Sequence, residues 1–178
     1  SPALIHRSLR LTHIKIAETT AGYTRRQTDI MPDQYIPLVT PPAVQDSPAL
    51  WFVFRHGAIL VSNAGSAALP CCCTLEEHGV AAVRSHYLGL LGDQHCYAAE
   101  IDAAHPLPAG WAPLGLRDLF GMVDSTLAAL SGRALQIIDW ERAHQFCSRC
   151  GTPMQARSDE RARTCPACRF TSYPPVSP

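Results

Sequence analysis

Short apolar runs bounded by turn residues fill the first two thirds of the chain, and apolar positions at helical spacing fill most of the rest. Trp51 to Val61 contains Trp-Phe-Val-Phe, a break at Arg55-His56-Gly57, and then Ala-Ile-Leu-Val, which predicts a β-hairpin. His86 to Leu91 and His95 to Ile101 flank Gly92-Asp93-Gln94 and predict a second one. Between them, Asn63 to Pro70 has loop composition, and Cys71, Cys72 and Cys73 suit a strand or small-residue packing better than a metal or redox role. Gln34 to Pro48 carries Pro37, Pro41, Pro42 and Pro48 and predicts an extended lead-in, since proline lacks an N–H and disfavours helix. Ala103 to Pro113 is a proline-containing connector. Beyond it Leu116, Leu119, Phe120, Val123, Leu127 and Leu130 recur at steps of three and four, one face of an amphipathic helix. Gly132 interrupts this pattern, and Ala134 to His144 resumes it with Leu135, Ile137, Ile138 and Trp140 as a second helix. The predicted class is α+β: a small N-terminal domain of antiparallel strands and helices over residues 31–143, then a cysteine-bearing module over 144–172.

Residues 1–30 differ in character from the remainder of the chain. They hold Lys15, the chain's single lysine, with several threonines, and they lead into Met31. We expect an upstream or expression-derived extension with Met31 as the natural start; the alternative is an N-terminal strand over Leu9 to Ile16.

Composition narrows the class. The 178 residues are 47% hydrophobic and 17% charged with a formal net charge of zero, enough for one ordinary core and a small accessory module. No run approaches the roughly 18–20 apolar residues of a membrane span, so no membrane partner is expected. The first residues lack the order of a secretory signal. Of eight cysteines, three are consecutive and four have metal spacing, which argues against a disulfide framework and for a reducing, cytoplasmic setting. A neutral balance provides no overall electrostatic footprint for nucleic acid. His56, His78, His86, His95, His105 and His144 lack metal spacing or an evident acidic partner, and Asp102 and Asp124 have none visible either; no catalytic role is assigned to any of them.

The chemistry concentrates near the C-terminus. Cys147-Ser-Arg-Cys150 and Cys165-Pro-Ala-Cys168 are two CxxC turns separated by fourteen residues. Each turn can aim two sulfurs at one ion, and two such turns complete a closed tetrahedral S4 shell suited to structural zinc. Gly151 follows the first turn, where the backbone favours positive φ. Arg149, Arg157, Arg161, Arg163 and Arg169 are expected to ring the site and offset its negative charge. A module this small depends on bound metal for its folding free energy.

Here a family resemblance enters. Ala143-His-Gln-Phe-Cys147-Ser-Arg-Cys150-Gly151, the second CxxC turn, and Tyr173-Pro174-Pro175-Val176-Ser177-Pro178 resemble the zinc ribbon of NADH pyrophosphatases, Nudix hydrolases also called NAD diphosphatases, and the segment just after it. The resemblance is specific over the ribbon and its flanks and weak across the strands. It implies an α+β domain, a helix and a ribbon, with 173–178 as a linker into a catalytic Nudix domain. The box G-x5-E-x7-R-E-x-x-E-E-x-G, whose glutamates hold catalytic magnesium or manganese, is absent from these 178 residues. No catalytic residue is therefore assigned, and the chain alone is expected to hydrolyse nothing. The implied activity of the parent is cleavage of the NAD(H) pyrophosphate to nicotinamide mononucleotide and AMP, with NAD-capped RNA as a further implied substrate and a homodimer as the implied assembly. Among substrate contacts the resemblance implies Arg117, in Leu116-Arg117, although ungapped spacing favours Asp118; Glu160 between the turns; and Tyr173. A lysine that the family carries after the first hairpin has no counterpart in Asn63 to Leu69. Two alternatives remain at this point: a ribbon that binds nucleic acid or protein without enzymatic activity, and a rubredoxin-like iron site, which would be coloured.

Overall fold

The computed structural model describes residues 35–62 and 69–175; the expected extension over 1–30, Met31, the alternative strand over Leu9 to Ile16, and 176–178 lie outside the described residues. The architecture is α+β: a mixed sheet with helices against it, and a small three-stranded ribbon at the C-terminal end. Strands β1 (Tyr35–Pro37), β2 (Ala49–Arg55), β3 (Ala58–Ser62), β5 (Ala82–Leu91), β6 (Gln94–Ile101) and β7 (Trp111–Leu114) run in the order β1-β5-β6-β2-β3-β7, and the two-residue β4 (Cys71–Cys72) pairs with β2. All pairs are antiparallel except β2 with β6.

Both expected hairpins form, each on a two-residue turn. In the first, His56 (φ 52°) and Gly57 (φ 78°) both take positive φ, as a type I′ turn requires, and its twist matches that of the flanking strands. In the second, Gly92 (φ 63°) and Asp93 make the turn, and Gln94 already belongs to β6. The continuous apolar run of β2 has a packing reason. Leu50, Phe52 and Phe54 face one core with Ile59, Leu88 and the helix residues Leu127, Leu130, Ala134 and Ile137. Val53 faces the other, with Leu60, Leu75, Val80, Ala99 and Ile101, so both faces of the strand are covered.

The connector of residues 103–113 differs from expectation: its end forms β7, which extends the sheet beyond β3 with Trp111 opposite Ser62. The helical region differs as well. A single turn, α1 (Leu116–Leu119), precedes a 19-residue helix, α2 (Ser125–Ala143), and Gly132 lies inside α2 rather than between two helices. The start is set by Asp124, whose Oδ1 accepts from the amides of Thr126 (2.9 Å) and Leu127 (3.0 Å). Gly132 is tolerated because Leu130, Ser131, Ala134, Ile137 and Ile138 bury one continuous face, while a Cβ at 132 would meet nothing within 4 Å. Gly132→Ala should therefore raise stability by about 0.5–1 kcal/mol, seen as a higher Tm; a lower Tm would contradict a helix continuous through this position.

Gly89 positions the edge on which the ribbon rests. It sits at a register shift in β5 with φ 125°, and a Cβ there would lie 2.0 Å from the Ile36 carbonyl oxygen and 2.7 Å from the Leu38 amide nitrogen. Only glycine lets β1 approach this closely. Gly89→Ala should cost about 3 kcal/mol in chemical denaturation, from combined backbone strain and overpacking. No helix among the described residues is long and apolar enough to cross a membrane.

Candidate metal centre

Both CxxC turns are built by the same hydrogen bonds. In the first, the Cys147 amide donates to the Thr152 carbonyl and the Gly151 amide to the Cys147 carbonyl, each at 2.8 Å. In the second, the Cys165 amide donates to the Phe170 carbonyl (2.8 Å) and the Arg169 amide to the Cys165 carbonyl (3.0 Å). The residue after each turn is left-handed: Gly151 at φ 74° and Arg169 at φ 60°. Amides of Arg149 and Cys168 point at the sulfurs of Cys147 (3.4 Å) and Cys165 (3.5 Å). Strands β8 (Gln155–Ala156), β9 (Arg163–Thr164) and β10 (Thr171–Ser172) join the turns into one sheet.

The four sulfurs converge, all lying within 4.8 Å of one another. Cys147 Sγ is 3.5 Å from Cys168 Sγ, and Cys150 Sγ is 3.5 Å from Cys165 Sγ. A tetrahedron of sulfurs about 2.3 Å from a central ion has edges of about 3.8 Å, so these residues fit one zinc-sized ion, and the separations are far too long for disulfides. All eight cysteines are free. The Thr152 hydroxyl and amide hold the Cys150 thiol down to about 6. At Cys168 the Phe170 amide favours the thiolate, but the crowding sulfurs of Cys147, Cys165 and Cys150 together with burial outweigh it and push the thiol up to about 12. Four thiolates this close repel one another unless a cation sits among them, which is the charge balance a dication supplies.

The expected arginine ring does not form. Arg157 is paired with Asp159 (2.7 Å) and Glu160 (2.8 Å), and Arg163 with Glu141 (3.0 Å). Arg161 Nη2 donates to the carbonyls of Leu38 (2.9 Å) and Tyr87 (2.6 Å). Arg149 lies over the Phe170 ring at 4.7 Å. Most of these cations tie the ribbon to itself or to the domain rather than screen the sulfurs.

Among the described residues the ribbon is docked at three points. Arg161 reaches Leu38, just after β1, and Tyr87 on β5 as described; Trp140 Nε1, on α2, donates to Ser172 Oγ (3.1 Å) in a buried contact; and Glu141 bridges His86 on β5 and Arg163 on β9. His86 and Asp124, read as having no partner, have Glu141 and the start of α2 respectively, and Asp102 accepts from the Ala104 amide at 2.7 Å. His86 and Glu141 are 55 residues apart, so no local spacing could have disclosed that pair.

Between ribbon and sheet runs a groove made of two adjoining cavities of about 300 and 240 Å³, which share Val39 and Arg161. Glu160 and Tyr173 meet there, with Tyr173 Oη donating to Glu160 Oε1 at 3.2 Å and Tyr173 58% exposed. Arg117 is not brought to them. It is exposed on α1, which follows β7 at the sheet edge opposite β1, five strand spacings of about 4.8 Å along the sheet. Two groove residues were not read as such from sequence: Arg133 on α2 stands in no recognisable motif, and Arg161 on the ribbon was assigned to the ring around the metal.

A family profile described as the NADH pyrophosphatase-like rudimentary NUDIX domain matches residues 48–140, and the NADH pyrophosphatase zinc ribbon domain matches 142–173. The chain belongs to the NADH pyrophosphatase-like Nudix family. The two matches abut near the end of α2, where the sheet domain hands over to the ribbon. Among curated relatives in this family, the NAD-capped RNA hydrolase NudC of Deinococcus radiodurans is 39% identical over 155 residues, 87% of this chain and 50% of that protein. That of Stutzerimonas stutzeri is 42% identical over 92 residues, 51% of this chain and 33% of its own length. That of Pseudomonas fluorescens is 34% identical over 134 residues, 75% of this chain and 48% of its own. The chain thus spans about half or less of the length of these relatives.

Proposed function

We propose that this chain is the substrate-gripping and zinc-ribbon portion of a Nudix hydrolase that splits the pyrophosphate of NAD(H), free or as the cap of an RNA, into a nicotinamide mononucleotide half and an AMP half. Supporting this reading most directly is the meeting of Glu160 and Tyr173 in a groove against the ribbon of a chain whose relatives are named NAD-capped RNA hydrolases. Zinc held by Cys147, Cys150, Cys165 and Cys168 does no chemistry in this reading; it keeps the ribbon, and with it both side chains, in place. Tyr173 presents a face for stacking a ring, and Glu160 an acceptor for ribose hydroxyls or an exocyclic amine. Magnesium or manganese, bound by Nudix-box glutamates outside these 178 residues, would polarise the pyrophosphate and activate water. Without those glutamates the chain alone hydrolyses nothing. The same reading places Arg117 at the substrate, contributed across a homodimer if not within one chain, and the protein in the cytoplasm.

The test is an assay of the full-length protein with NADH and magnesium or manganese. The expected products are nicotinamide mononucleotide and AMP, with Tyr173→Ala raising KM about tenfold or more at unchanged zinc content. Absence of these products would overturn the reading. A binding module without enzymatic activity is less well supported, because Arg157 and Arg163 are already paired with carboxylates and offer little free cationic surface.

A further inference from the structure

Arg133 and Arg161 both line the smaller cavity of the groove, together with Tyr173 and Pro174. Neither has a carboxylate partner among the described residues, although most other arginines of the ribbon and its surroundings do. Arg133 Nε and Arg161 Nη1 are buried and lack any hydrogen-bond partner. The carboxylate adjacent to Arg161, Glu160, is taken by Arg157 and Tyr173. Beneath them lies a phenol, not an acid: Arg133 sits over the Tyr35 ring at 5.8 Å, and the Tyr35 hydroxyl donates to the Leu88 carbonyl at 2.7 Å. Burial depresses the Arg161 pKa, the neighbouring Tyr35 works against this, and the Arg133 charge adds to the depression. Two half-buried guanidinium groups, each with one buried donor left unpaired, line a cavity of about 240 Å³ open at an exposed tyrosine, a cost that an anion removes.

We propose that Arg133 and Arg161 form a phosphate-binding subsite, which holds a phosphate group of the nucleotide whose ring Tyr173 stacks. A phosphate suits this pair better than a single carboxylate, because its three oxygens can accept from both guanidinium groups at once. The nucleotide part of this assignment rests on the hydrolase reading above; the phosphate part does not.

Calorimetric titration of the zinc-loaded chain with inorganic phosphate, pyrophosphate, AMP and nicotinamide mononucleotide tests it, with no turnover involved. Saturable binding is expected, tighter for a mononucleotide than for phosphate, and weakened about tenfold or more in Arg133→Gln but less in Arg133→Lys. Because Arg161 also fastens the ribbon to Leu38 and Tyr87, Arg133 is the residue to vary, with zinc content and Tm followed as controls. No saturable binding of any of the four, or equal binding by wild type and Arg133→Gln, overturns the subsite. Mononucleotides binding no tighter than phosphate would overturn the nucleotide assignment and leave a site for free phosphate. Failure of the full-length protein to cleave NADH would count against the hydrolase reading and leave the titration result standing.

Discussion

Stripping zinc with a strong chelator is expected to unfold residues 144–172 while the sheet of the N-terminal domain survives. The reason is the poverty of the ribbon's own core, in which only Cys147, Met154 and Cys165 are buried together, with Phe170 against them, and its three strands pair over only two residues at each of the two seams. Such a module cannot offset its chain entropy, whereas structural zinc supplies about 10–16 kcal/mol in zinc-finger peptides near neutral pH. The N-terminal domain has two cores of its own on either face of the sheet and does not need the metal. In an amide hydrogen-exchange experiment, the chelated protein should lose protection at Cys147, Gly151, Cys165 and Arg169, whose amides close the two turns, and keep it in β2, β5 and β6. Readdition of zinc should restore it. Unchanged protection in the metal-free protein would mean that the ribbon folds by other means. Acid should mimic chelation, because protons compete with metal for all four sulfurs.

Loss of Glu141 should produce the next largest effect, since this carboxylate joins strand, helix and ribbon at one point. It accepts from His86 and, at 3.0 Å, from Arg163, and their side chains are 19%, 20% and 12% exposed respectively. The His86 hydrogen bond holds the Glu141 carboxyl below its ordinary value of 4.5; burial opposes this, and the charges of His86, Arg163 and Arg84 assist it. A carboxylate whose folded pKa is depressed contributes stability that is fully present above the unfolded value and lost as pH falls through the folded one. Glu141→Gln should therefore cost about 2 kcal/mol at neutral pH, discounted from the ~3–5 kcal/mol of a fully buried pair because water reaches the site. The two proteins should converge in stability below the ordinary carboxylate range. Denaturation midpoints of both across pH 3 to 8, at about unit intervals, give the comparison; a difference that persisted undiminished at acid pH would assign the effect to packing instead of charge.

How much could be read from the sequence depended on how local each signal is. The hairpins were legible because their turns and apolar runs are contiguous, and the ribbon because two CxxC turns need only a spacing to be recognised. Gly132 was misread as a break because glycine costs a helix only ~0.5–1 kcal/mol, and the tertiary burial of Ala134, Ile137 and Ile138 against the sheet outweighs that amount. Strand β7 was hidden because Trp111 and Pro113 sit among prolines, and an edge strand tolerates proline where a central one does not. The parallel pairing of β2 with β6 and the contact of Glu141 with His86 join residues more than forty positions apart, and no local period encodes either. In the groove, Glu160 and Tyr173 could be named through resemblance alone. Arg133 carries no signal in sequence and Arg161 reads as part of a ring around the metal; only the fold shows that both line one cavity with a buried donor left unpaired.

One ion bridging two turns keeps the groove residues in register, and every functional assignment made for the ribbon depends on it. X-ray absorption at the zinc edge, with metal content measured on the same sample, tests this most directly. One zinc per chain surrounded by four sulfurs at about 2.3 Å is the predicted result. Zinc well below one equivalent, or a shell containing nitrogen or oxygen in place of sulfur, would contradict it.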